Sequence, residues 1–306
     1  MDDLNDDEKT ACEAILARCE AGELSAPIAV MEMLIVTEDA SLVQSVVDQR
    51  AANSPKIAEV ARLIERNASG CMRVAEMLRS DMDTPPRDAT VEQGVEFCRR
   101  LFDWSVRQSE EASVALYSLG DPELLATATH EAVVLLDEWG VLGNHKEALE
   151  IGCGIGRMEE ALSPHLARVV GVDVSAQMIA AGLRRCAHLE NVLLQTCSGL
   201  DLRDFDAGRF DLVFAVDSFP YLVQSGMKLV DTHFSEAARV LRSRGDLVIL
   251  NFSYREDEEA DRRDVAALAE LHGFEVRVAG VRPFSMWNGL VFHLKKRQTN
   301  RPSSRR

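Results

Sequence analysis

The residues best suited to chemistry stand in one stretch, Ala148-Leu149-Glu150-Ile151-Gly152-Cys153-Gly154-Ile155-Gly156-Arg157. Three glycines at every second position can take backbone conformations closed to other residues. Without a Cβ they also let a ligand approach the main chain. An apolar strand-like run enters this turn and a helical segment leaves it, and in an open α/β sheet ligands bind at such strand ends. The spacing is G-x-G-x-G. A dinucleotide fingerprint wants a small residue at the sixth position, and the bulky Arg157 there argues against NAD or FAD. Asp173 closes the run Val169-Val170-Gly171-Val172, 21 residues beyond Gly152. A carboxylate at the tip of a second strand can accept hydrogen bonds from both hydroxyls of a ribose. Glu150, just before the glycines, can attract an ammonium group.

Other polar side chains gather where later strands end. The runs before Asp217, Ser218 and Tyr221, and before Asn251, Ser253 and Tyr254, would aim these residues at a substrate. Asp217 could orient an amine or take a proton, or could only hold a ligand or cap the next helix. Tyr221 and Tyr254 could line a pocket or pack ordinarily. Tyr117 could close over the site or sit in a core, and Trp287 lies in a turn that covers a pocket or is a plain connection. His233 falls on a helix, where histidines are more often structural than catalytic. The seven cysteines are scattered with no CxxC, and there is no HExxH, so no metal site is expected and free thiols are.

These residues need elements to place them. From Lys146 onward, seven short apolar runs alternate with helical segments, the pattern of a mostly parallel sheet covered by helices. The last two runs, near 275–280 and 290–296, have no helix between them and suit an antiparallel edge. Before that the chain reads as helical. Residues 1–90 repeat apolar positions at three and four, broken at Gly22, at Ser25 before Pro27, at Asn53-Ser54-Pro55 and at Gly70. Pro85-Pro86 suggests a linker. Two further helices are expected over 91–140, the second opened by Asp121 and Pro122. The expected organisation is a helical region over 1–88, an α/β domain with a helical lead-in over 89–297, and a disordered basic tail over 298–306.

Four pieces then carry a family resemblance. LEIGCGIGR followed by VVGVDVSAQMI resembles the first two motifs of class I S-adenosylmethionine-dependent methyltransferases. FDLVFAVDSFPYLV is similar to their fourth-strand motif and EAARVLRSRGDLVIL to their fifth-strand segment, over about residues 110–297. The resemblance implies a Rossmann-like, doubly wound seven-stranded sheet with the last strand antiparallel, and S-adenosylmethionine as cofactor. It implies that Gly152, Gly154 and Gly156 wrap the methionine portion, with Glu150 near its ammonium. Asp173 would hold the ribose, Val174 would flank the adenine and Met178 would pack on the ring. Ser198 stands where the family often has an acid, so Ser198 or the Gly199 N–H would take the adenine contact. Asp217 would serve cofactor or substrate. Asp217 and Tyr221 are the catalytic candidates, and Tyr117, Asn251, Tyr254 and Trp287 the substrate candidates.

Charge narrows the acceptor. The 306 residues carry 34 basic and 50 acidic side chains, a formal charge of −16. Residues 1–90 hold 9 basic and 18 acidic side chains, whereas 289–306 hold 6 basic and none acidic. So acidic a body repels phosphate backbones, and D-S-F-P-Y differs from the [DN]-P-P-Y of many methyltransferases acting on amide or aromatic amino nitrogens. Nucleic acid is not expected as a partner. The acidic, polar N-terminus and the lack of a long apolar run point to a cytoplasmic protein with no membrane partner. The reading favoured is methyl transfer to O, N or S of a small molecule. Its alternatives are a protein or peptide methyltransferase whose N-terminal helices dock the substrate, and a non-catalytic interaction protein on the same fold. The N-terminal helices are also candidates for homodimer or partner contacts.

Overall fold

A computed structural model describes residues 2–80 and 89–298. These form two compact units. One holds residues 2–80, 101–132 and 284–288; the other holds 89–100, 133–283 and 289–298. The expected linker at Pro85-Pro86 and the division after residue 88 fall outside the described residues, as does the tail from 299 on.

The first unit is built from α1 (Asp2–Ala21), α2 (Ala26–Thr37), α3 (Ala40–Ala51), α4 (Pro55–Arg66) and α5 (Ala68–Leu78), with residues from three later helices. Local chemistry sets the helix starts. Ser25 accepts from the Ile28 N–H and Ser54 from Ile57, each with a proline in the first turn behind it. Asp39 accepts from Ser41 and Leu42 to open α3. Gly70, expected as a break, instead lies inside α5, and the break falls at Asn67, which joins α4 to α5. The glycine is needed for closeness. A Cβ there would strike the Leu119 carbonyl oxygen and stand 3.1 Å from its carbon.

The later helices are α6 (Val91–Gln108), α7 (Glu110–Val114) and α8 (Pro122–Glu138). Thr90 and Gln93 close a reciprocal capping box at the start of α6, and Asp121 accepts from Glu123 and Leu124 to open α8 as expected.

The second unit is a sheet of β1 (Gly143–Ile151), β2 (Leu166–Asp173), β3 (Val192–Thr196), β4 (Phe210–Val216), β5 (Leu241–Leu250), β6 (Phe274–Val281) and β7 (Val291–Lys296). Its order is β3-β2-β1-β4-β5-β7-β6. The first five strands pair in parallel, and β7 slots between β5 and β6, antiparallel to both. The chain crosses by α9 (Arg157–Leu162), α10 (Ala176–Arg185), α11 (Phe219–Ser225), α12 (Met227–Val240) and α13 (Glu258–Leu271). The central strands read as unbroken apolar runs because both faces are covered. Phe234 of α12 packs edge-on to Phe219 and Phe274, and Phe252 packs edge-on to Phe292. All five rings are buried, each contributing about 1.5–3 kcal/mol by leaving water. The order reverses on either side of β1 and β4, which makes a switch point at their carboxyl ends.

Candidate functional site

The glycine-rich turn leaves β1 at this switch point. Gly152, Gly154 and Gly156 all take left-handed φ values, +76°, +53° and +74°. Other residues meet a steric penalty there, which is why glycine recurs at these three positions. At Gly152 space is also short, because a Cβ would overlap the Ser218 side chain at the end of β4. Ser218 in turn donates its hydroxyl to the Ile151 carbonyl, tying β4's end to the turn.

Asp173 anchors the other side. It accepts from the Gly154 N–H at 2.9 Å and from the Ser175 N–H at 2.8 Å, and it is buried. The Gly152 and Cys153 N–H groups donate to Val172 O, at 2.8 and 3.0 Å. The tip of β2 therefore holds the turn in shape before any ligand arrives.

Glu150 is buried at 2% exposure, and its Oε2 meets no hydrogen-bond donor. Burial, with the neighbouring Glu159 carboxyl next, raises its pKa well above the usual carboxylate range. Behind β2, Gly199 takes φ +72°, and a Cβ there would crowd Val174 Cγ1 at 2.5 Å and Val95 Cγ1 at 2.8 Å. Val174, Gly199 and Val95 thus converge on one spot. Ser198 is exposed and its hydroxyl accepts from the Leu200 N–H. Met178 is buried at the start of α10, where Ser175 caps its N–H.

The ends of β4 and β5 form the second half of the site. Asp217 and Asn251 both have left-handed backbones, φ +57° and +76°. Asn251 Nδ2 donates to Asp217 Oδ1 at 2.7 Å. The Tyr254 hydroxyl bonds to Asp217 and to Tyr221, and the two tyrosine rings stand edge to face at 5.8 Å. Burial pushes Asp217 up to about 6, against the pull of its Asn251 and Tyr254 bonds and the Arg157 charge. Burial, then the nearby Asp217 charge, raises both phenols, so they stay protonated at neutral pH.

The structure therefore brings together Glu150, the three glycines, Asp173, Val174 and Gly199 at one set of strand ends, and Asp217, Tyr221, Asn251 and Tyr254 at the next. Tyr117 and Trp287 belong to the helical unit, where both are buried and stacked at 6.0 Å, with Phe284 on Trp287 at 4.6 Å. His233 is buried in α12 and bonded through Nδ1 to Leu229 O of its own helix, a structural histidine. Sequence reasoning missed Val95 and Glu159, and it aimed Ser218 at a substrate where the structure ties it to the turn. A glycine inside the α6 pattern was a signal for the first of these, since Gly94 lets the helix meet Ser225, which stands 2.7 Å from where its Cβ would lie.

Strand order, antiparallel β7, glycine turn and acidic β2 tip together define the class I methyltransferase fold. Residues 149–249 match the methyltransferase domain family. The chain is similar to a ubiquinone biosynthesis O-methyltransferase of Coxiella burnetii, with 32% identity over 24% of this chain and 31% of that protein. It is also similar to a demethylmenaquinone methyltransferase of Tropheryma whipplei, with 28% identity over 36% of this chain and 43% of that protein. The chain thus spans under half the length of these curated relatives. Among solved structures, phosphoethanolamine N-methyltransferase 1 of Haemonchus contortus, in complex with phosphoethanolamine and S-adenosylhomocysteine, shares the fold. Its TM-score is 0.56 at 18% identity, covering 71% of this chain and 52% of that one. Among the described residues, no helix is long and apolar enough to cross a membrane.

Proposed function

We propose that this protein is an enzyme that transfers the methyl group of S-adenosylmethionine to an oxygen, nitrogen or sulfur of a small-molecule acceptor. The carrying observation is the preset turn: three left-handed glycines held by the Asp173 carboxylate, beside a buried Glu150 oxygen that lacks a donor. An ammonium group would supply that donor, and the bare glycine backbone leaves room for a chain lying across it. Asp173 stands at the β2 tip beside the turn, where its carboxylate would meet the ribose hydroxyls, and Val174, Gly199 and Val95 offer an apolar seat for a purine.

When bound, the cofactor supplies an electrophilic methyl group on a sulfonium. The protein's remaining work is alignment, and removal of a proton where the acceptor carries one. Asp217 suits that work. Asn251 and Tyr254 fix its carboxylate, and with its pKa near 6 it is ionised at neutral pH. It would accept the proton of an acceptor hydroxyl during transfer, or the proton that a neutral amine acceptor sheds once it has been methylated. Tyr254 bonds to Asp217 and Tyr221 bonds to Tyr254, so the two rings flank the carboxylate. A ring hydroxyl fits this arrangement, and the O-methyltransferase of ubiquinone biosynthesis among the relatives supports that choice.

Calorimetric titration with S-adenosylmethionine and S-adenosylhomocysteine, followed by methyl transfer from labelled cofactor to a panel of hydroxylated aromatics and amines, tests the proposal. Binding of both in the micromolar range and labelling of one acceptor class are expected. Absence of binding by either would sink it.

A further inference from the structure

Behind the glycine turn lies a second carboxyl that the proposed reaction does not use. Glu159, on α9, is fully buried, and neither of its oxygens makes a well-formed hydrogen bond to an N–H or O–H of the protein. Its neighbour across the turn is Glu150, within hydrogen-bonding reach. Room for it exists because β2 carries Gly171. A Cβ there would fall on Glu159 Oε1 and within 2.7 Å of the Cys153 Cβ. Two carboxylates in contact, out of water and without a donor between them, repel each other strongly, and a single shared proton relieves both problems at once. Burial is the leading cause raising each of them.

Charged and titratable groups face the pair from several elements. Arg157 of α9 is the one nearby cation acting on both acids among the described residues, and it favours their ionised forms. Asp173 at the tip of β2 opposes them. The thiols of Cys153 in the turn and Cys186 after α10 have raised pKa values, burial first and Glu159 next, and so stay neutral.

We infer that Glu150 and Glu159 share one proton in the free protein and release it when a cationic ligand settles on the glycine turn, so that donor binding is coupled to proton loss. The inference rests on the cofactor reading above. A ligand bearing a sulfonium and an ammonium favours the doubly ionised pair; the product, which has lost the sulfonium charge, favours it less. The pair is thus a positioning element that discriminates donor from spent product by charge, more strongly as pH rises.

The test is calorimetric titration of the full chain at pH 7 with each ligand, in two buffers of different ionisation enthalpy. S-adenosylmethionine should release about half a proton and S-adenosylhomocysteine less, with donor Kd falling roughly fivefold from pH 6 to 8. Asp217→Asn should keep this dependence, and Glu159→Gln should flatten it. Infrared spectra of the ligand-free protein at pH 7 should show a protonated buried carboxyl band that Glu159→Gln removes. Donor binding with no proton exchange, or a slope lost in Asp217→Asn instead, overturns the inference and leaves the cofactor reading standing. Failure of both ligands to bind overturns that reading, while the infrared band still decides whether the pair holds a proton. Should Glu159→Gln fail to fold, the wild-type buffer comparison and the pH titration of the infrared band decide between the outcomes.

Discussion

Asp173→Asn removes one oxygen from the residue that shapes the turn. In the native protein its two oxygens serve two buried N–H groups, those of Gly154 and Ser175. Asparagine keeps one acceptor, and its amide nitrogen then faces the other N–H, donor against donor. One charge-assisted bond is lost, at about 1.5–3 kcal/mol, and one N–H is orphaned, at about 1–3 kcal/mol. The sum, about 2.5–6 kcal/mol, is a large share of the roughly 5–15 kcal/mol that keeps a domain folded. The turn would relax, so ligand affinity should fall with stability. A loss of about 2.8 kcal/mol in binding is a hundredfold rise in Kd. Urea unfolding gives the first quantity. Titration with S-adenosylhomocysteine, at a temperature where the variant remains folded, gives the second. Ser175→Ala is the control: it removes the α10 cap on Met178 and should cost about 1 kcal/mol with little change in Kd. If Asp173→Asn unfolds at the wild-type midpoint and binds within twofold of wild type, the turn does not depend on this carboxylate and the site has been misplaced.

Asp217→Asn should slow methyl transfer by about a hundredfold or more, the usual scale for losing a base, and remove a pH–rate limb near the value of about 6 to which burial pushes Asp217. Its stability effect has the opposite sign. Because the folded pKa lies above the unfolded one, the folded state binds more protons between about pH 4 and 6, so stability falls as pH rises through that window. The asparagine variant should be flatter there and relatively more stable above it, by an amount on the order of 3 kcal/mol. Asp246→Asn should behave in the reverse way. Burial opposes its ionisation, but bonds from His293 and Lys295 win and hold its pKa below the usual range. Its contribution should be present at neutral pH and fade as pH drops through its folded value. Denaturation curves at pH 3 and 7 for both proteins separate these cases. Gly70→Ala should destabilise the helical unit by about 1–3 kcal/mol, since its Cβ has nowhere to go except into Leu119. An unchanged melting curve would contradict that packing.

Much of this was legible in sequence because it is local. The caps at Ser25, Ser54 and Asp121 precede their helices by a residue or two, and the seven strands read as apolar runs between turns. The glycine turn and the acid at the β2 tip lie close enough along the chain to be read as one motif. What stayed hidden depends on residues far apart. Gly70 looks like a break because nothing nearby announces Leu119, whose carbonyl requires the missing Cβ. Glu159 sits in Arg157-Met158-Glu159-Glu160, which reads as an exposed helix start. Only the arrival of β2, with Gly171 opposite, buries it. Val95 reaches the Gly199 corner through a helix more than a hundred residues earlier in the chain.

The strand ends show a different kind of illegibility. Asp217 and Asn251 are ordinary in pattern, each the first polar residue after an apolar run, and nothing in the sequence says that both adopt left-handed backbones. Such a conformation costs roughly 1–2 kcal/mol per non-glycine residue. The structure sets bonds against that cost. The Asp217 N–H still reaches Leu250 O at 2.8 Å, and the Asn251 N–H reaches Leu290 O at 3.0 Å. Between the side chains, Asn251 donates to Asp217, a bond to a charged group worth about 1.5–3 kcal/mol. Glycine would relieve the backbone at either position and would lose the side chain that makes the bond. Keeping asparagine and aspartate there trades backbone ease for a carboxylate whose direction is fixed before any acceptor arrives. Strain held in place by such mutual bonds is characteristic of functional sites. Here it falls on the same two residues that the strand order places beside the glycine turn.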